Sequence, residues 1–323
     1  MKAFTYDRYG PPEVVHLEEV PMPEIQPEEI LVEVHATTVN RSDCGFRKAD
    51  PFIARFFTGL FGPKRRILGS EFSGKVVDIG NKVTRFKVGD EVFGHTGDQL
   101  GAHAEYLKIH QDHTVVRKPE NLDHLEAASI TDGAMLAWNY LRLIHFKRDH
   151  RILINGATGS IGSAGLQLAK YMGADVAAVG NTPNLNLLKR LGADRVYDYL
   201  NEDFTRSGLE FDVVFDAVGK STFGKCKRIL RKKGTYYSTE LGPWAQNPFL
   251  HLITPMVGGK QVRFPIPINR IEDFMFFEKV IREGKYQPIV DRVYPFERIH
   301  DAYHYVETGM KTGNVVIQLK EIN

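Results

Sequence analysis

Cysteine is scarce in this chain of 323 residues, which contains only Cys44 and Cys226. Two cysteines so far apart do not form a disulfide framework and are typical of a reducing compartment. A strong charge of one sign is also lacking, because 42 Lys and Arg residues face 40 Asp and Glu residues and leave a net charge of +2. We therefore expect no nucleic-acid surface.

Long apolar runs are missing as well. No stretch approaches the roughly 18 uninterrupted apolar residues that a membrane span requires, and the first residues carry no apolar core of signal-peptide length. We therefore expect neither membrane insertion nor export. The sequence predicts a cytoplasmic protein whose partner is a small molecule.

Two different patterns follow one another along the chain, which is long enough for about two domains. Up to about residue 120, short Val-rich runs alternate with turns, with predicted strands at 14–20, 29–39, 75–79 and 91–93, as in a small, partly open barrel. From about residue 121, predicted strands (151–155, 175–179, 195–197, 212–215, 234–238 and 261–264) alternate with helices (160–172 and 185–191). This alternation indicates a parallel sheet covered by helices. Helices at 271–283 and 299–308 and a strand at 314–319 close the chain.

The most specific local motif is Ala157-Thr158-Gly159-Ser160-Ile161-Gly162. It lies between a predicted strand and a predicted helix, where a dinucleotide-binding turn belongs, although alanine stands at its first glycine position. Bare backbone at Gly159 lets a pyrophosphate approach, and Gly162 lets the helix pack close to the strand. The N–H groups of the first helical turn then meet the anion. The alternative is a glycine-rich turn that binds nothing.

The residues after the second strand of this sheet bear on the choice of cofactor. A NAD site places Asp or Glu about 20 residues beyond the glycines, whereas this chain has Gly180-Asn181-Thr182. Without a carboxylate there, a 2′-phosphate meets no repulsion, so NADP(H) is favoured. Asn181 and Thr182 are candidate donors, with Lys311 as a further candidate, although Asn181 and Thr182 are also ordinary helix-capping residues before Pro183.

Further cofactor contacts are expected at strand ends, where doubly wound sheets bind their ligands. Tyr199 follows the third strand, Val218-Gly219 the fourth and Ser238-Thr239 the fifth. We assign these residues to the cofactor site together with residues 157–162.

Seven segments carry a resemblance to a known family: residues 39–43, 68–77, 78–92, 157–162, 191–194, 212–219 and 311–316. In them the sequence resembles the medium-chain dehydrogenase/reductase superfamily, and within it the zinc-free quinone oxidoreductases. The segments occur in order and span nearly the whole chain. The resemblance implies an α/β protein with a GroES-like β-barrel catalytic domain and a doubly wound parallel-sheet (Rossmann) nucleotide-binding domain. We place the catalytic domain at 1–122 and 266–323 and the nucleotide-binding domain at 123–265. The resemblance implies a homodimer, and the strand at 261–264, if it is the sixth strand of the sheet, is an edge available for pairing with a second subunit.

The resemblance also bears on metal content. Where zinc-dependent relatives carry their ligands, this chain has Asn40, Ser70 and, within a residue or so, Asp132. An amide, a hydroxyl and one carboxylate form a poor donor set for Zn²⁺, and two cysteines cannot form the four-cysteine zinc lobe of those relatives. We therefore predict no metal site.

Without a metal, hydrogen bonds must stabilise the charge that hydride transfer leaves on an acceptor oxygen. We predict Asn40 and Asp132 as catalytic residues, although Asn40 is also a common turn residue. His95 and His103 flank the loop 97–101, and neither is assigned as a proton donor. Leu136 stands where relatives have a threonine that contacts the nicotinamide.

These features predict an NADPH-dependent reductase of quinones or α,β-unsaturated carbonyl compounds. One alternative is a zinc-free alcohol or aldehyde oxidoreductase. The other is a catalytically silent protein that binds NADPH as a sensor or interaction partner, an alternative that the missing proton donor and Leu136 leave open.

Overall fold

The computed structural model describes residues 1–50, 52, 55–144 and 150–321. Its strands in chain order are β1 (Lys2–Thr5), β2 (His16–Glu19), β3 (Glu29–Val39), β4 (Glu71–Ile79), β5 (Glu91–His95), β6 (Tyr106–His110), β7 (Val115–Arg117), β8 (Arg151–Asn155), β9 (Asp175–Gly180), β10 (Arg195–Asp198), β11 (Phe211–Asp216), β12 (Leu230–Ser238), β13 (Gln261–Arg263), β14 (Val290–Pro295) and β15 (Asn314–Gln318). Its helices are α1 (Arg41–Lys48), α2 (Arg55–Thr58), α3 (His124–Ala128), α4 (Thr131–Leu141), α5 (Ser160–Tyr171), α6 (Leu185–Arg190), α7 (Phe223–Cys226), α8 (Gln246–Val257), α9 (Ile271–Arg282) and α10 (Ile299–Glu307). Within the described ranges, no helix is both long and apolar enough to cross a membrane.

The chain divides into two compact units. The first contains Met1–Asp132, Asn269–Glu283 and Pro288–Asn323, and the second contains Gly133–Ile268 and Gly284–Gln287. The first unit runs beyond residue 122 to Asp132 because Glu71 of β4 accepts hydrogen bonds from Thr131 and Asp132.

The first unit is built on a seven-stranded sheet in the order β14-β15-β3-β4-β5-β7, with β6 also paired to β3. Apart from the parallel pair β14 and β15, its strands are antiparallel. Strand β3 buries alternate side chains, and Ile30, Val32 and Val34 enter a core with Phe72 and Val92. The period-2 pattern read from the sequence is thus confirmed in this strand.

The second unit is a parallel six-stranded sheet in the order β10-β9-β8-β11-β12-β13. This order reverses direction between β8 and β11, which is the switch point where doubly wound sheets bind ligands. The predicted α/β fold, with a GroES-like domain and a Rossmann sheet, is confirmed.

Most predicted bounds agree with the structure to within about two residues, but β4 begins at Glu71 rather than at 75. Two other strands also differ. The strand expected at 14–20 covers only His16–Glu19, because Pro12 opens a 3-10 turn that runs to Val14. Strand β12 begins at Leu230 rather than at 234, and its pairing with β11 shifts register between Phe211 and Val213. Neither difference moves a strand end that carries a predicted site residue.

Candidate functional site

The glycine turn of the second unit follows β8 directly. Asn155 ends the strand, and Gly156 takes a left-handed backbone with φ of +76°. Gly159 has an extended backbone and begins α5 without a side-chain cap. The N–H groups from Ser160 to Gly162 therefore have no acceptor within the helix and lie at its positive end. Such a terminus suits a pyrophosphate.

Backbone contacts bring α5 close to the turn at Gly162. A Cβ atom there would lie 2.1 Å from the carbonyl oxygen of Gly156 and 2.7 Å from Cα of Ala157. Ala157 is buried and donates its N–H to Val179 O at 3.0 Å. The residue with the left-handed backbone is thus Gly156, one residue before the predicted motif. Position 157 does not require glycine, so alanine fits there.

Residues 218 and 219 lie at the same turn. A Cβ atom on Gly156 would lie 2.6 Å from Cβ of Val218, and Gly219 has a left-handed φ of +66°. The buried Asp216 ties β11 to its neighbours, because its carboxylate accepts from Asn155 Nδ2 at 2.9 Å and from Tyr236 Oη at 3.0 Å. Our sequence reasoning missed Asp216, although a carboxylate that ends a buried strand was a usable signal.

The end of β12 completes this edge of the sheet. Ser238 pairs in register with Asp216, and the N–H of Thr239 donates to Asp216 O at 3.2 Å. The structure therefore gathers residues 156–162, 218–219 and 238–239 at the carboxyl ends of β8, β11 and β12.

Asn181, Thr182 and Tyr199 meet at the carboxyl ends of β9 and β10. The N–H of Tyr199 donates to Gly180 O at 3.0 Å, and its side chain is half exposed. Thr182 donates its hydroxyl to the carboxylate of Asp198, which also accepts from Asn201 Nδ2 at 2.7 Å. The hydrogen bond from Thr182 lowers the pKa of Asp198.

Asp198 places a negative charge beside the residues predicted to bind the 2′-phosphate. The sequence places no carboxylate directly after β9, but the neighbouring strand β10 supplies one beside Thr182. Because Thr182 directs its proton to Asp198, it is a poorer donor to an additional anion than we expected. Asn181 accepts from Asn184 Nδ2 at 2.7 Å through its Oδ1, an arrangement that leaves its amide N–H₂ to donate.

The first unit contains a buried polar cluster around Asn40. Asn40 Oδ1 accepts from the N–H of Asp43 at 3.0 Å, and Asp43 Oδ2 accepts from the N–H of Asn40 at 2.9 Å, so the two form a capping box at the start of α1. The other carboxylate oxygen of Asp43 accepts from the N–H of Gly69 at 3.2 Å. Asn40 Nδ2 and Ser70 Oγ are buried and have no hydrogen-bond partner within the described ranges. Two polar groups therefore remain available to a ligand in this cluster.

Glu71 is the centre of a second set of contacts in this unit. Its Oε1 accepts from Thr131 Oγ1 at 2.9 Å and from the N–H of Asp132 at 2.6 Å, and its Oε2 accepts from Thr38 Oγ1 at 2.5 Å. Burial, together with the charge of Asp132, raises the pKa of Glu71. Burial also raises the pKa of Asp43, and the charges of Asp132 and Glu71 add to the effect.

Lys311 belongs to the first unit and donates to Gly313 O. Burial lowers its pKa, and the charges of Asp132, Glu71 and Asp291 oppose that effect. The charges that act on it are thus three carboxylates of its own unit and the guanidinium of Arg41. A contact between Lys311 and a 2′-phosphate remains a prediction.

The two histidines beside the loop 97–101 differ in their surroundings. His103 is fully buried, with Nε2 2.8 Å from Thr38 O and Nδ1 3.3 Å from Tyr303 Oη. Burial lowers its pKa to about 4, so it is a neutral core residue. His95 instead lies near the carboxylate of Asp132.

The residues at the zinc-ligand positions do not fit zinc. Asn40 uses its amide oxygen as a helix cap, and Ser70 offers only a hydroxyl. Within the part of the chain that the structure describes, no three His, Cys, Asp or Glu side chains are grouped so as to hold a metal ion. We derive no chemical step through a metal.

Fold and site together define the class of this protein. An antiparallel unit joined in one chain to a parallel sheet, with a glycine turn at its first βα connection, is the architecture of two-domain dehydrogenases and reductases. The family profile described as alcohol dehydrogenase GroES-like domain matches residues 26–120, and the profile described as zinc-binding dehydrogenase matches residues 191–317.

Similarity to known proteins extends over nearly the whole chain. A 2-methylene-furan-3-one reductase of Solanum lycopersicum is 32% identical and an NADPH-dependent alkenal/one oxidoreductase of Arabidopsis thaliana is 30% identical, each over 98% of this chain and 79% of the relative. The structure of a quinone oxidoreductase from Coxiella burnetii covers 99% of both chains with a TM-score of 0.88 and 28% identity. This chain belongs to the medium-chain dehydrogenase/reductase superfamily, in its zinc-free quinone oxidoreductase branch, as its sequence segments predicted.

Proposed function

We propose that this chain is a zinc-independent oxidoreductase that transfers hydride from NADPH to a quinone or an α,β-unsaturated carbonyl compound. The observation that carries the proposal is Asn40 Nδ2, which is buried and has no hydrogen-bond partner among the described residues, in a chain that also holds the open helix terminus at 160–162. The relatives named for reduction of alkenals, enones and quinones support the same substrate classes.

The second unit has the features of an NADP(H) site. NADPH supplies the hydride when it is bound. The N–H groups of Ser160 to Gly162 would hold the pyrophosphate, and the close approach at Gly156 and Gly162 keeps side chains out of its path. Val218, Gly219, Ser238 and Thr239 would line the same edge. Asn181 and Tyr199 would contact the adenosine end.

Asn40 and Ser70 would bind the acceptor oxygen. A buried polar group without a partner costs about 1–3 kcal/mol, and a carbonyl oxygen of the acceptor would remove that cost by accepting from Asn40 Nδ2 and Ser70 Oγ. Such hydrogen bonds strengthen as negative charge develops on the oxygen. Conjugated acceptors suit two neutral donors because conjugation spreads that charge.

Steady-state assays of an enone, a quinone and an alcohol series with NADPH or NADP⁺ and with NADH or NAD⁺ test this function. We expect turnover of the enone and the quinone with NADPH and no effect of a chelator. Fast alcohol turnover that a chelator abolishes would contradict zinc independence, whereas fast alcohol turnover that survives the chelator would favour the zinc-free alcohol oxidoreductase. NADPH binding without turnover of any acceptor would favour the silent protein.

Replacing Asn181 by aspartate tests the preference for NADP(H). The new carboxylate would lie beside Asp198 and Thr182 and would repel a 2′-phosphate, so we expect kcat/KM for NADPH to fall about tenfold, which corresponds to about 1.4 kcal/mol. The kcat/KM for NADH should stay within about twofold of the wild-type value, because NADH carries no 2′-phosphate. Equal losses with both cofactors would contradict the placement of the phosphate at Asn181.

We also propose a homodimer, and α8 supports it better than the edge strand β13 does. The edge strand β13 directs the N–H of Val262 to Thr254 Oγ1 at 2.9 Å. Helix α8 and the turn before it instead expose large apolar side chains. They are Trp244, Phe249, Leu252, Met256 and Val257. A second copy of this chain would cover such an apolar face.

Sedimentation velocity at low micromolar concentration tests the homodimer. We expect the wild type to sediment as a dimer and the Leu252→Lys, Met256→Lys double variant as a monomer, because burying two lysines disfavours association. Met310→Lys serves as the matched control, since Met310 is equally exposed but lies in the first unit. A wild type that sediments only as a monomer would contradict the dimer.

A reducing, cytoplasmic location is also part of the proposal. Both cysteines are buried free thiols, and burial raises the pKa of Cys44 to about 12. Such thiols suit a compartment without disulfide formation. Cell fractionation tests the location, and recovery of the protein in an organelle, as the name of the chloroplastic relative suggests for that protein, would contradict it.

A further inference from the structure

Asp43 is a fully buried acid in the first turn of α1, three residues after Asn40. Its Oδ2 accepts from the N–H of Asn40 at 2.9 Å, and its Oδ1 accepts from the N–H of Gly69 at 3.2 Å. Asn40 follows β3, whereas Gly69 and Ser70 lead into β4. One carboxyl group therefore joins the end of β3 to the chain before β4.

Each of the two joined segments carries one donor that we propose for the acceptor oxygen. These donors are Asn40 Nδ2 and Ser70 Oγ, which are buried and have no hydrogen-bond partner among the residues that the structure describes. The N–H of Asp43 also donates to Asn40 Oδ1 at 3.0 Å, which restrains the orientation of the Asn40 amide. The direction of Asn40 Nδ2 therefore depends on Asp43.

The segment that contains Ser70 is also held by the chain between β5 and β6. The N–H of Thr96 donates to Ser70 O at 2.7 Å, and the N–H of Ala102 donates to Gly69 O at 3.0 Å. Gly69 has a left-handed φ of +89°, and a Cβ atom there would lie 2.4 Å from Cδ2 of His103. The backbone of this segment is therefore tightly fixed, and Asp43 ties Asn40 to it.

A carboxyl group suits this position because it has two oxygens. Each oxygen keeps a lone pair whether or not the group is protonated, so both N–H groups find an acceptor in either state. An amide of the same shape would present its N–H₂ group to one of the two N–H donors. Burial of an acid is costly, and the hydrogen bonds from Asn40 and Gly69 offset that cost.

We propose that Asp43 is a positioning residue, which holds Asn40 Nδ2 and Ser70 Oγ so that one carbonyl oxygen of the acceptor can bind to both. The inference rests on the proposed function. Asp43 acts through these two donors, since its own oxygens accept from backbone N–H groups. Loss of either contact would misplace the donors, and a misplacement of about 1 Å can lower a rate about 100-fold.

Steady-state kinetics of Asp43→Asn with 3-buten-2-one and with 1,4-benzoquinone test this role. We expect kcat to fall about 30-fold for both acceptors, while KM for NADPH stays within about twofold, because the hydrogen bonds that change are those to Asn40 and Gly69. Glu126→Gln is the matched control. Glu126 has the same capping-box position in α3, where it accepts from the N–H of Asp123 at 3.1 Å. It should change kcat by less than about twofold.

A double-mutant cycle separates positioning from a general loss of stability. In the Asn40→Ser background, the amide that Asp43 positions is already absent. Asp43→Asn should therefore lower kcat at most about threefold in that background, because only the position of Ser70 still depends on the acid. A purely structural role of Asp43 would instead give the same loss of kcat in both backgrounds.

Asp43→Ser is the second variant, for the case that Asp43→Asn does not fold. Its smaller side chain offers one acceptor oxygen instead of two and causes no steric overlap, and it should show a similar loss of kcat. Wild-type kcat in a folded Asp43 variant, or equal losses in the two backgrounds, would overturn the inference while leaving the reductase intact. A wild type that reduces neither acceptor would remove the proposed function itself.

Discussion

Replacing Gly162 by alanine is expected to raise the Kd for NADPH at least about 100-fold, which corresponds to about 2.7 kcal/mol. The new Cβ atom would lie 2.1 Å from the carbonyl oxygen of Gly156, and that atom belongs to the backbone and cannot rotate away. Helix α5 must therefore move from the turn, and the N–H groups of its first turn lose their alignment. Isothermal titration calorimetry with NADPH measures the effect.

Gly159→Ala separates the binding effect from the folding effect. A Cβ atom at 159 would have no neighbour closer than 3.6 Å, and the backbone there is extended. We expect an unchanged melting temperature and a raised Kd, because the methyl group would stand where the pyrophosphate approaches. Gly224→Ala, with its nearest neighbour at 3.9 Å, is the control and should change neither quantity. Wild-type affinity in both turn variants would contradict the placement of the cofactor.

Replacing Asn40 by serine is expected to lower kcat for enones and quinones about 10²–10³-fold, the usual effect of removing one donor to a developing oxyanion. Serine keeps the helix cap, because its hydroxyl can accept from the N–H of Asp43 as Asn40 Oδ1 does. It does not replace the amide N–H₂. The KM for NADPH should stay the same, since the predicted cofactor contacts other than Lys311 lie in the other unit. Steady-state kinetics measure kcat and KM, and a thermal melt shows whether the helix cap is kept.

Asp123 offers a matched control for the cap. It forms the same kind of capping box with Glu126 at the start of α3. We expect Asp123→Ala to lower the melting temperature by a few degrees, since a lost cap costs about 1 kcal/mol, without a selective loss of kcat. If Asn40→Ser keeps the wild-type kcat, Asn40 is a capping residue and not a catalytic one.

Much of the second unit could be predicted from sequence because its signals are local. Residues 151–162 contain a complete strand, turn and helix start, and the bounds of β8 match the prediction. The end of each parallel strand could be assigned to one edge, since parallel strands share their direction. For the same reason Val218 and Ser238 could be placed near the turn without a contact in sequence. Gly156 was not predicted as a site residue, because a spacing pattern does not show which glycine has a left-handed backbone.

The contacts that were missed join distant segments. Asp198 reaches Thr182 from the neighbouring strand, 16 positions away in sequence, and Glu71 reaches Asp132 over 61 positions. Composition and periodicity do not report such distances. His95 was likewise uninformative as a single loop histidine. Only the structure shows that its Nδ1 accepts the N–H of Gly97.

By itself, the sequence determined the class of fold, because hydrophobic period and glycine spacing act over short stretches of chain, and its resemblance to known segments indicated a reductase family. Only the tertiary structure decided which polar groups remain without partners and which are occupied. It showed that Thr182 donates to Asp198, that Asn40 Nδ2 has no partner in the part of the chain that the structure describes, and that His95 lies beside Asp132. The reason is physical: a hydrogen bond depends on distances of about 3 Å, and only the folded chain sets the distances between segments far apart in sequence.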